Sequence, residues 1–154
     1  MKIVRTKDLP WADGMNKGAF VQRRKALGGQ ALSCGLWELP PGKKSFPFHM
    51  HHITEEAMFV ISGAAKVRTT EGETAIGPGD FVSFLPGVDA HQLINDGTEP
   101  LVYVGMSASK GVDVVDYPDS NKVAAAIGSA PGGKRFVFKK SDEAGYFDGE
   151  KDAQ

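Results

Sequence analysis

Three of the four histidines of this chain lie within one tetrapeptide, residues 49–52, and Glu56 follows it closely. Imidazole nitrogens and carboxylate oxygens together are typical ligands of divalent transition metals. Residues two apart in an extended strand point to the same face, so His49 and His51 can reach one ion. The fourth histidine, His91, is then a candidate ligand from a second segment. These residue types and spacings indicate a metal site.

The residues around Glu56 support its place in this site. In a strand beginning there, Glu56, Met58 and Val60 share one face, which is apolar and is predicted to point into the core. An unpaired carboxylate on that face would cost on the order of several kcal/mol, and a bound cation removes this cost. In the later segment, His91 and Leu93 also share a face that is predicted to point inward.

Alternative assignments of the histidine cluster remain open. Met50 and His52 could replace His49 and His51 as the paired positions, which would shorten the spacing to Glu56. That choice exchanges an imidazole for a thioether, which hard divalent ions disfavour. If His49 and His51 are the ligands, His52 is either a hydrogen-bond donor at the pocket rim or behind the metal ligands, or simply an exposed loop histidine. Clustering by chance on a solvated loop is the alternative to any metal site.

The elements that must position these residues are predicted to be strands. Glycines and prolines are spread along the chain and separate short runs rich in Val, Ile, Phe and Leu. This pattern is typical of an all-β sandwich or closed barrel. The predicted strands are residues 31–39, 57–61, 64–70, 73–76, 80–85, 91–95 and 101–107. A short turn of helix at 121–127 is the most helical structure that the pattern allows.

Length and composition limit the class of protein. A chain of 154 residues suits one domain, and its net charge of −1 predicts neither a nucleic-acid nor a membrane partner. The N-terminus lacks the apolar segment of a signal peptide, and the longest mostly apolar stretch, 57–67, is too short to cross a bilayer. The one cysteine, Cys34, lies in an apolar alternation and is expected to be a buried inert thiol. We therefore expect a cytoplasmic protein.

The two histidine segments resemble the two sequence motifs of the cupin superfamily, whose members are small jelly-roll β-barrels, also described as double-stranded β-helices. The first motif would comprise Gly42, His49, His51, Glu56 and Gly63. The second would comprise Gly79, Asp80, Pro86, His91 and Asn95. Gly42 and Gly79 each lie one residue further from the histidines than in the commonest spacing, a change in loop length that turns tolerate.

The resemblance implies a single cupin domain, with a barrel core at 31–107, an N-terminal arm at 1–30 and a C-terminal extension at 108–154. It also implies a homodimer. A looser similarity covers the Tyr-Pro-Asp-Ser segment at 117–120, which also follows the barrel in a group of small bacterial cupins. Its residue types favour a structural turn over a substrate-binding loop.

By the same resemblance, one divalent transition metal per chain is bound, and Fe, Mn, Ni and Zn remain open. The implied ligands are His49, His51, Glu56 and His91. Four such ligands leave two positions of an octahedron for water, substrate or dioxygen, which is the open geometry of a catalytic site.

The expected function is that of a metal-dependent oxidoreductase of dioxygenase type acting on a small aromatic or organic-acid substrate, because the inward residues near the metal are mostly apolar. The alternatives are a metal-dependent isomerase of sugar-like substrates and a non-catalytic small-molecule-binding protein. No catalytic acid or base is assigned. The pocket candidates are His52, Phe46, Phe48, Met58, Leu93, Asn95 and Tyr103. Each apolar candidate is equally an ordinary core residue.

Overall fold

The computed structural model describes residues 3–29, 31–108, 111–128 and 133–152. They form fourteen strands, so the prediction of an all-β fold is confirmed. The first seven strands are β1 (Ala12–Lys17), β2 (Phe20–Gly28), β3 (Leu32–Leu39), β4 (Lys43–Lys44), β5 (Met50–His51), β6 (Glu55–Ser62) and β7 (Ala65–Thr69). The others are β8 (Gly72–Ile76), β9 (Phe81–Phe84), β10 (Gln92–Asn95), β11 (Leu101–Ala108), β12 (Val112–Tyr117), β13 (Lys122–Ile127) and β14 (Lys134–Lys139). Short 3-10 turns occupy Thr6–Asp8, Pro118–Ser120 and Lys140–Asp142.

The strands lie in two sheets. The larger has the order β8-β7-β10-β4-β2-β3-β11-β6-β9, with β1 paired to β2, and the smaller has the order β14-β13-β12-β5. Among the described strands, every pairing is antiparallel except that of β2 with β4. Many neighbours in the sheets are distant in sequence, as in the jelly rolls that close a sheet by long connections. The two sheets meet at the histidine segment, because β5 of the smaller sheet directly precedes β6 of the larger.

Strand β6 shows how the sequence pattern produces this arrangement. Met58 and Val60 are buried, whereas Phe59 and Ile61 on the opposite face are exposed. Such alternation with a period of two is the signature of a strand with one face on a core. Glu56 lies on the same face as Met58 and is partly buried. The strand therefore carries its carboxylate towards the interior, as its neighbours predicted.

The interior of the larger sheet is one apolar cluster, against which Trp37 and Val82 pack. Its buried members are Leu39, Met58, Val60, Ala65, Val67, Ile76, Phe84, Leu93, Leu101 and Tyr103. Each large side chain in such a cluster contributes roughly 1.5–3 kcal/mol by leaving water. Because the cluster draws on β3 and on β6 to β11, the core joins β6, which carries Glu56, to β10, which directly follows His91.

The turn after β6 requires glycine. Gly63 has a φ of +76°, and a Cβ built on it would lie 2.1 Å from the carbonyl oxygen of Pro100. Any side chain there would combine left-handed backbone strain with a severe clash. The close approach packs the β6–β7 turn against the start of β11, which pairs with β6 along its length.

Each of the seven predicted strands overlaps an observed one, namely β3 and β6 to β11. The pattern allowed at most a short helical turn at 121–127, and this segment instead forms β13. Its alanines favour a helix in isolation, but β13 pairs with β12 on one side and with β14 on the other. Pairing along both edges outweighs local propensity.

The N-terminal segment contributes to the barrel wall, since β2 lies between β3 and β4 in the larger sheet. Its inward face is less apolar than those of the predicted strands, which is why periodicity did not reveal it. No helix within the described parts of the chain is long and apolar enough to cross a membrane.

Candidate metal centre

The backbone joins the two histidine segments directly. His49 and His91 form an isolated antiparallel bridge, in which each amide donates to the carbonyl oxygen of the other, at 3.2 and 2.8 Å. His51 lies in β5 and Glu56 begins the inward row of β6. Four residues from separate elements are therefore brought to one place by pairing and by the period-two alternation of strands.

The side chains converge on the Glu56 carboxylate. Its Oε2 lies 3.9 Å from Nε2 of His49, 3.4 Å from Nε2 of His51 and 3.3 Å from Nε2 of His91. Ligand atoms of His49, His51 and Glu56 all lie within 4.8 Å of one another, so these three could hold a metal ion. His91, the bridge partner of His49, also directs its Nε2 at this carboxylate oxygen.

Each of the three rings is held by its other nitrogen. Nδ1 of His49 is 2.8 Å from the carbonyl oxygen of Pro47, and Nδ1 of His91 is 3.1 Å from that of Asp89. Nδ1 of His51 is 2.5 Å from Oδ2 of Asp113. Carbonyl and carboxylate oxygens only accept, so each Nδ1 carries the proton. In the neutral form of each ring the lone pair is then on Nε2, which is the arrangement behind metal-binding histidines.

The electrostatics of His49 fit a metal ligand. Burial, followed by the neighbouring His91, lowers the pKa of His49 to about 4. The ring is therefore neutral at pH 7, and the neutral imidazole is the form that binds a metal.

The ring of Phe84 stacks on the imidazole of His91, with centroids 3.7 Å apart and planes 7° apart. This stacking also fixes the orientation of the His91 ring.

Glu56 is held in its charged form. Burial alone would raise its pKa, but the hydrogen bond with His91 and the nearby imidazoles together lower it. Ligand atoms about 2.1 Å from one ion are roughly 3 Å apart when adjacent and roughly 4.2 Å apart when opposite. The three distances from Oε2 to the Nε2 atoms fall within that interval. The geometry and donor types of His49, His51 and Glu56 fit one divalent transition metal, and His91 is a further candidate ligand through its contact with the same carboxylate.

A cavity of about 280 Å³ adjoins these residues, and His49, Glu56 and His91 form part of its wall. Aromatic and apolar side chains supply much of the rest of this wall, among them Trp37, Phe84 and Met106. Polar groups also reach it, namely Arg24, Ser33, Cys34, Ser45 and Ser107. The volume is slightly below the range of roughly 300–1,000 Å³ typical of sites for drug-sized ligands. The cavity therefore suits a small molecule.

Four of the pocket candidates line this cavity: Phe46, Met58, Leu93 and Tyr103. Burial, with a further effect of Glu56, raises the pKa of Tyr103, whose hydroxyl donates to Oε1 of Gln22 at 3.2 Å. Cys34, expected to be buried, is only partly buried and lies at the wall.

The other three pocket candidates lie elsewhere among the described residues. Phe48 packs beneath the guanidinium of Arg68, at 4.1 Å from the ring centroid. The fully buried Asn95 donates to the carbonyl oxygens of Leu39 and Glu99 and so fixes a turn. His52 points away from the cavity.

The orientation of His52 bears on the alternative pairing of ligands. Its side chain is 39% exposed, and its Nε2 lies 3.4 Å from Oδ2 of Asp116. Because it follows His51 in an extended segment, it faces the opposite side from that ligand candidate. Met50 and His52 therefore do not replace His49 and His51 in the cluster around Glu56.

Asp113, which supports His51, was missed in the sequence analysis. This buried carboxylate in β12 accepts from His51 and, through Oδ1, from the Ile53 amide at 3.0 Å. Burial would raise its pKa, but hydrogen bonds from His51, Thr54 and Ile53 lower it. Asp113 is 62 positions from His51, and only the pairing of β12 with β5 brings them together. An aspartate inside the alternation Val-Asp-Val was the available signal.

Comparison with known proteins agrees with this geometry. Residues 35–107 match the family model described as "Cupin domain". A protein from Acidithiobacillus ferrooxidans, provisionally named a sugar phosphate isomerase, is 29% identical with a TM-score of 0.80, over 93% of this chain and 95% of its own. A cupin-superfamily sugar phosphate isomerase from Silicibacter pomeroyi is 20% identical with a TM-score of 0.79, over 96% and 98%. No curated protein sequence matches the chain.

A third solved structure, a predicted oxalate decarboxylase from Thermotoga maritima, is 20% identical with a TM-score of 0.62 and matches 70% of this chain and 98% of its own. Residues 35–107 are a cupin domain, and the fold of the chain is the cupin jelly roll. Both predictions are confirmed. The two longer matches cover most of this chain and so also include strands outside residues 35–107.

Proposed function

We propose that this cupin is a metal-dependent enzyme that acts on a small molecule held in the barrel cavity. The convergence of the His49, His51 and His91 Nε2 atoms with the Glu56 carboxylate beside that cavity carries the proposal. These residues would hold one divalent ion, with Fe, Mn, Ni and Zn as candidates. Such an ion supplies Lewis-acid or redox chemistry at positions that the protein leaves open.

Dioxygenase-type chemistry is the first candidate because, among the described residues, no carboxylate or imidazole other than the proposed ligands lines the cavity. Beyond the proposed ligands, the ionisable side chains among the described residues that line it are Arg24, Cys34 and Tyr103. Arginine stays protonated, and burial raises the pKa of the tyrosine, so neither removes a proton at neutral pH. Redox chemistry at the ion needs no such group. The aromatic walls would hold a small aromatic or organic acid.

Isomerisation of a sugar-like substrate is the second candidate. It is supported by the provisional name of the Acidithiobacillus ferrooxidans protein and by the serine hydroxyls at 33, 45 and 107 in the wall. An isomerase must move a proton between neighbouring carbons, and Glu56 is the carboxylate available in the cavity wall for that step. In this alternative the three histidines alone would hold the ion and Glu56 would be the base.

A non-catalytic binding protein would use the same cavity and differ only in the absence of turnover. The experiment that separates the dioxygenase, the isomerase and the binding protein is an assay of the protein loaded with Fe(II), Mn(II) or Zn(II). We expect dioxygen uptake by the iron- or manganese-loaded protein with a catechol or hydroxy acid. Aldose–ketose interconversion without dioxygen would replace this proposal by the isomerase, and saturable binding with no product would replace it by the binder.

The proposal also includes a cytoplasmic homodimer, as the family resemblance implies. Strand β14 is exposed along its length and carries Phe136, Val137 and Phe138, an apolar surface of the kind that a second copy would cover. Light scattering of the purified protein should give about twice the 16.5 kDa chain mass. A value equal to one chain would remove the dimer from the proposal.

A further inference from the structure

Strand β2 places one arginine in the cavity that holds the proposed metal ligands. Gln22 is fully buried and Arg24 has the same parity in the strand, but Arg24 itself is exposed, so it lies where the cavity wall meets solvent. Arg24 pairs in register with Trp37 of β3, and both line the cavity together with Glu56. The neighbouring Arg23 faces the opposite side of the sheet.

The charge of Arg24 is not balanced by a neighbouring acid. Arg23 makes an ion pair with Glu38, and Arg68 makes one with Asp119. The residues opposite Arg24 in the sheet are Ala12 and Trp37, and no carboxylate of the described chain lies within 4.0 Å of its guanidinium. An arginine at a cavity wall without an acidic partner keeps its five N–H donors available to a ligand.

The contact that the structure does show for Arg24 is with the indole of Trp37, whose ring centroid is 5.6 Å from the guanidinium carbon. Three glycines on three strands surround that indole. A Cβ at Gly14, Gly35 or Gly105 would lie 2.8, 2.9 and 2.9 Å from its atoms, respectively. The indole also stacks on Tyr103, with planes 10° apart. The guanidinium therefore packs on a rigid aromatic platform, which orients it without neutralising it.

We propose that Arg24 binds the anionic group, a carboxylate or phosphate, of the substrate. The inference deepens the proposed function and depends on it. A planar guanidinium matches two oxygens of either group with parallel hydrogen bonds. The proposed metal ligands lie on the same cavity, so a small substrate can have its reacting oxygens at the ion and its charge at Arg24. The substrate class is then a small acid or phosphate ester rather than a neutral molecule.

The test is calorimetric titration of the zinc-loaded protein, in which binding is measured without redox turnover. The probes are two pairs that differ in one anionic group: protocatechuate with catechol, and ribose 5-phosphate with ribose. The wild-type protein should bind at least one anionic member about tenfold or more tightly than its neutral partner, as expected for charge-assisted hydrogen bonds. Preference within the first pair identifies a carboxylate, and within the second a phosphate.

The variant Arg24→Gln should lose that preference and keep its affinity for the neutral members, while Arg24→Lys should recover part of it. Arg23→Gln is the matched control, since it removes the same charge one residue away on the outer face and should retain the preference. Equal affinities within both pairs for the wild-type protein would overturn the inference, as would an unchanged preference in Arg24→Gln. Zinc content near zero would instead mark failure of the proposed metal centre.

Discussion

The two walls of the cavity hold their polar groups in different ways. On the metal side, each imidazole has its Nδ1 fixed by an oxygen acceptor and its Nε2 directed at Glu56. Elsewhere in the wall, Arg24 lies on an aromatic surface and has no acidic partner within the described chain. The first wall is preorganised for an ion, which demands fixed donor positions. The second carries an exposed guanidinium that no acid pairs with, so its donors are available to a substrate anion.

Removing a metal-side imidazole should have the largest effect. His51→Ala deletes one of the converging donors, so metal affinity should fall by more than the roughly 10–100-fold that loss of a supporting residue costs. The measurement is metal content by mass spectrometry after dialysis. His52→Ala is the control, because that neighbouring histidine faces Asp116 outside the cavity. Equal metal content in His51→Ala and the wild type would show that the histidine cluster is not the site.

Glu56→Gln separates the two candidate chemistries. As a metal ligand, Glu56 contributes a negative charge, and its loss should lower metal affinity roughly 100-fold, close to the effect of losing a histidine. The exposed neighbour Glu55 provides the control variant Glu55→Gln. If Glu56→Gln instead keeps about one metal ion per chain while isomerase turnover is lost, the carboxylate is a base and the dioxygenase proposal is contradicted.

Asp113→Asn tests the support behind the metal wall. The amide can accept through its oxygen but lacks the negative charge that polarises the His51 ring, so metal affinity should fall roughly 10–100-fold. The measurement is a competition titration with a chromophoric chelator. Asp116→Asn, which changes a carboxylate on the same strand beside His52, should leave the affinity unchanged. An Asp113→Asn protein with wild-type affinity would show that Asp113 only binds the Ile53 amide.

The glycine cradle gives the smallest expected effect. Gly35→Ala places a Cβ 2.9 Å from the Trp37 indole, and such overpacking should cost about 1–3 kcal/mol in the free energy of unfolding. The displaced platform should also weaken anion binding at Arg24. Gly77→Ala is the control, because a Cβ there meets no atom within 4 Å. Urea unfolding measures the stability of the two variants. Equal stability of the two variants would mean that the indole is not tightly held.

The features that could be predicted from the sequence are those that depend on the local alternation of residues, whereas those that depend on pairing between distant segments could not. The seven central strands were predictable because their burial alternates with a period of two, as in Met58 and Val60. The convergence of His49, His51 and Glu56 followed from the same alternation. His91 was a candidate because it shares the inward face of Leu93, but its isolated bridge to His49 has no local signal in the sequence.

The unpredicted features come from long-range pairing. Asp113 reaches His51 through the contact of β12 with β5, and Arg24 reaches the cavity because β2 enters the larger sheet between β3 and β4. Neither segment has a strong apolar period, so both were assigned to chain termini outside the core. Segment 121–127 was not predicted as a strand for the related reason that its pairing on both sides leaves no trace in local propensity.

The central claim, one ion on the metal wall, is tested most directly by a crystal structure of manganese- or iron-loaded protein with data collected at the metal absorption edge. We expect one anomalous peak per chain, within about 2.3 Å of Nε2 of His49, His51 and His91 and of a Glu56 carboxylate oxygen. A peak between His52 and Asp116 instead, or a folded protein with no peak at the four residues, would contradict the account.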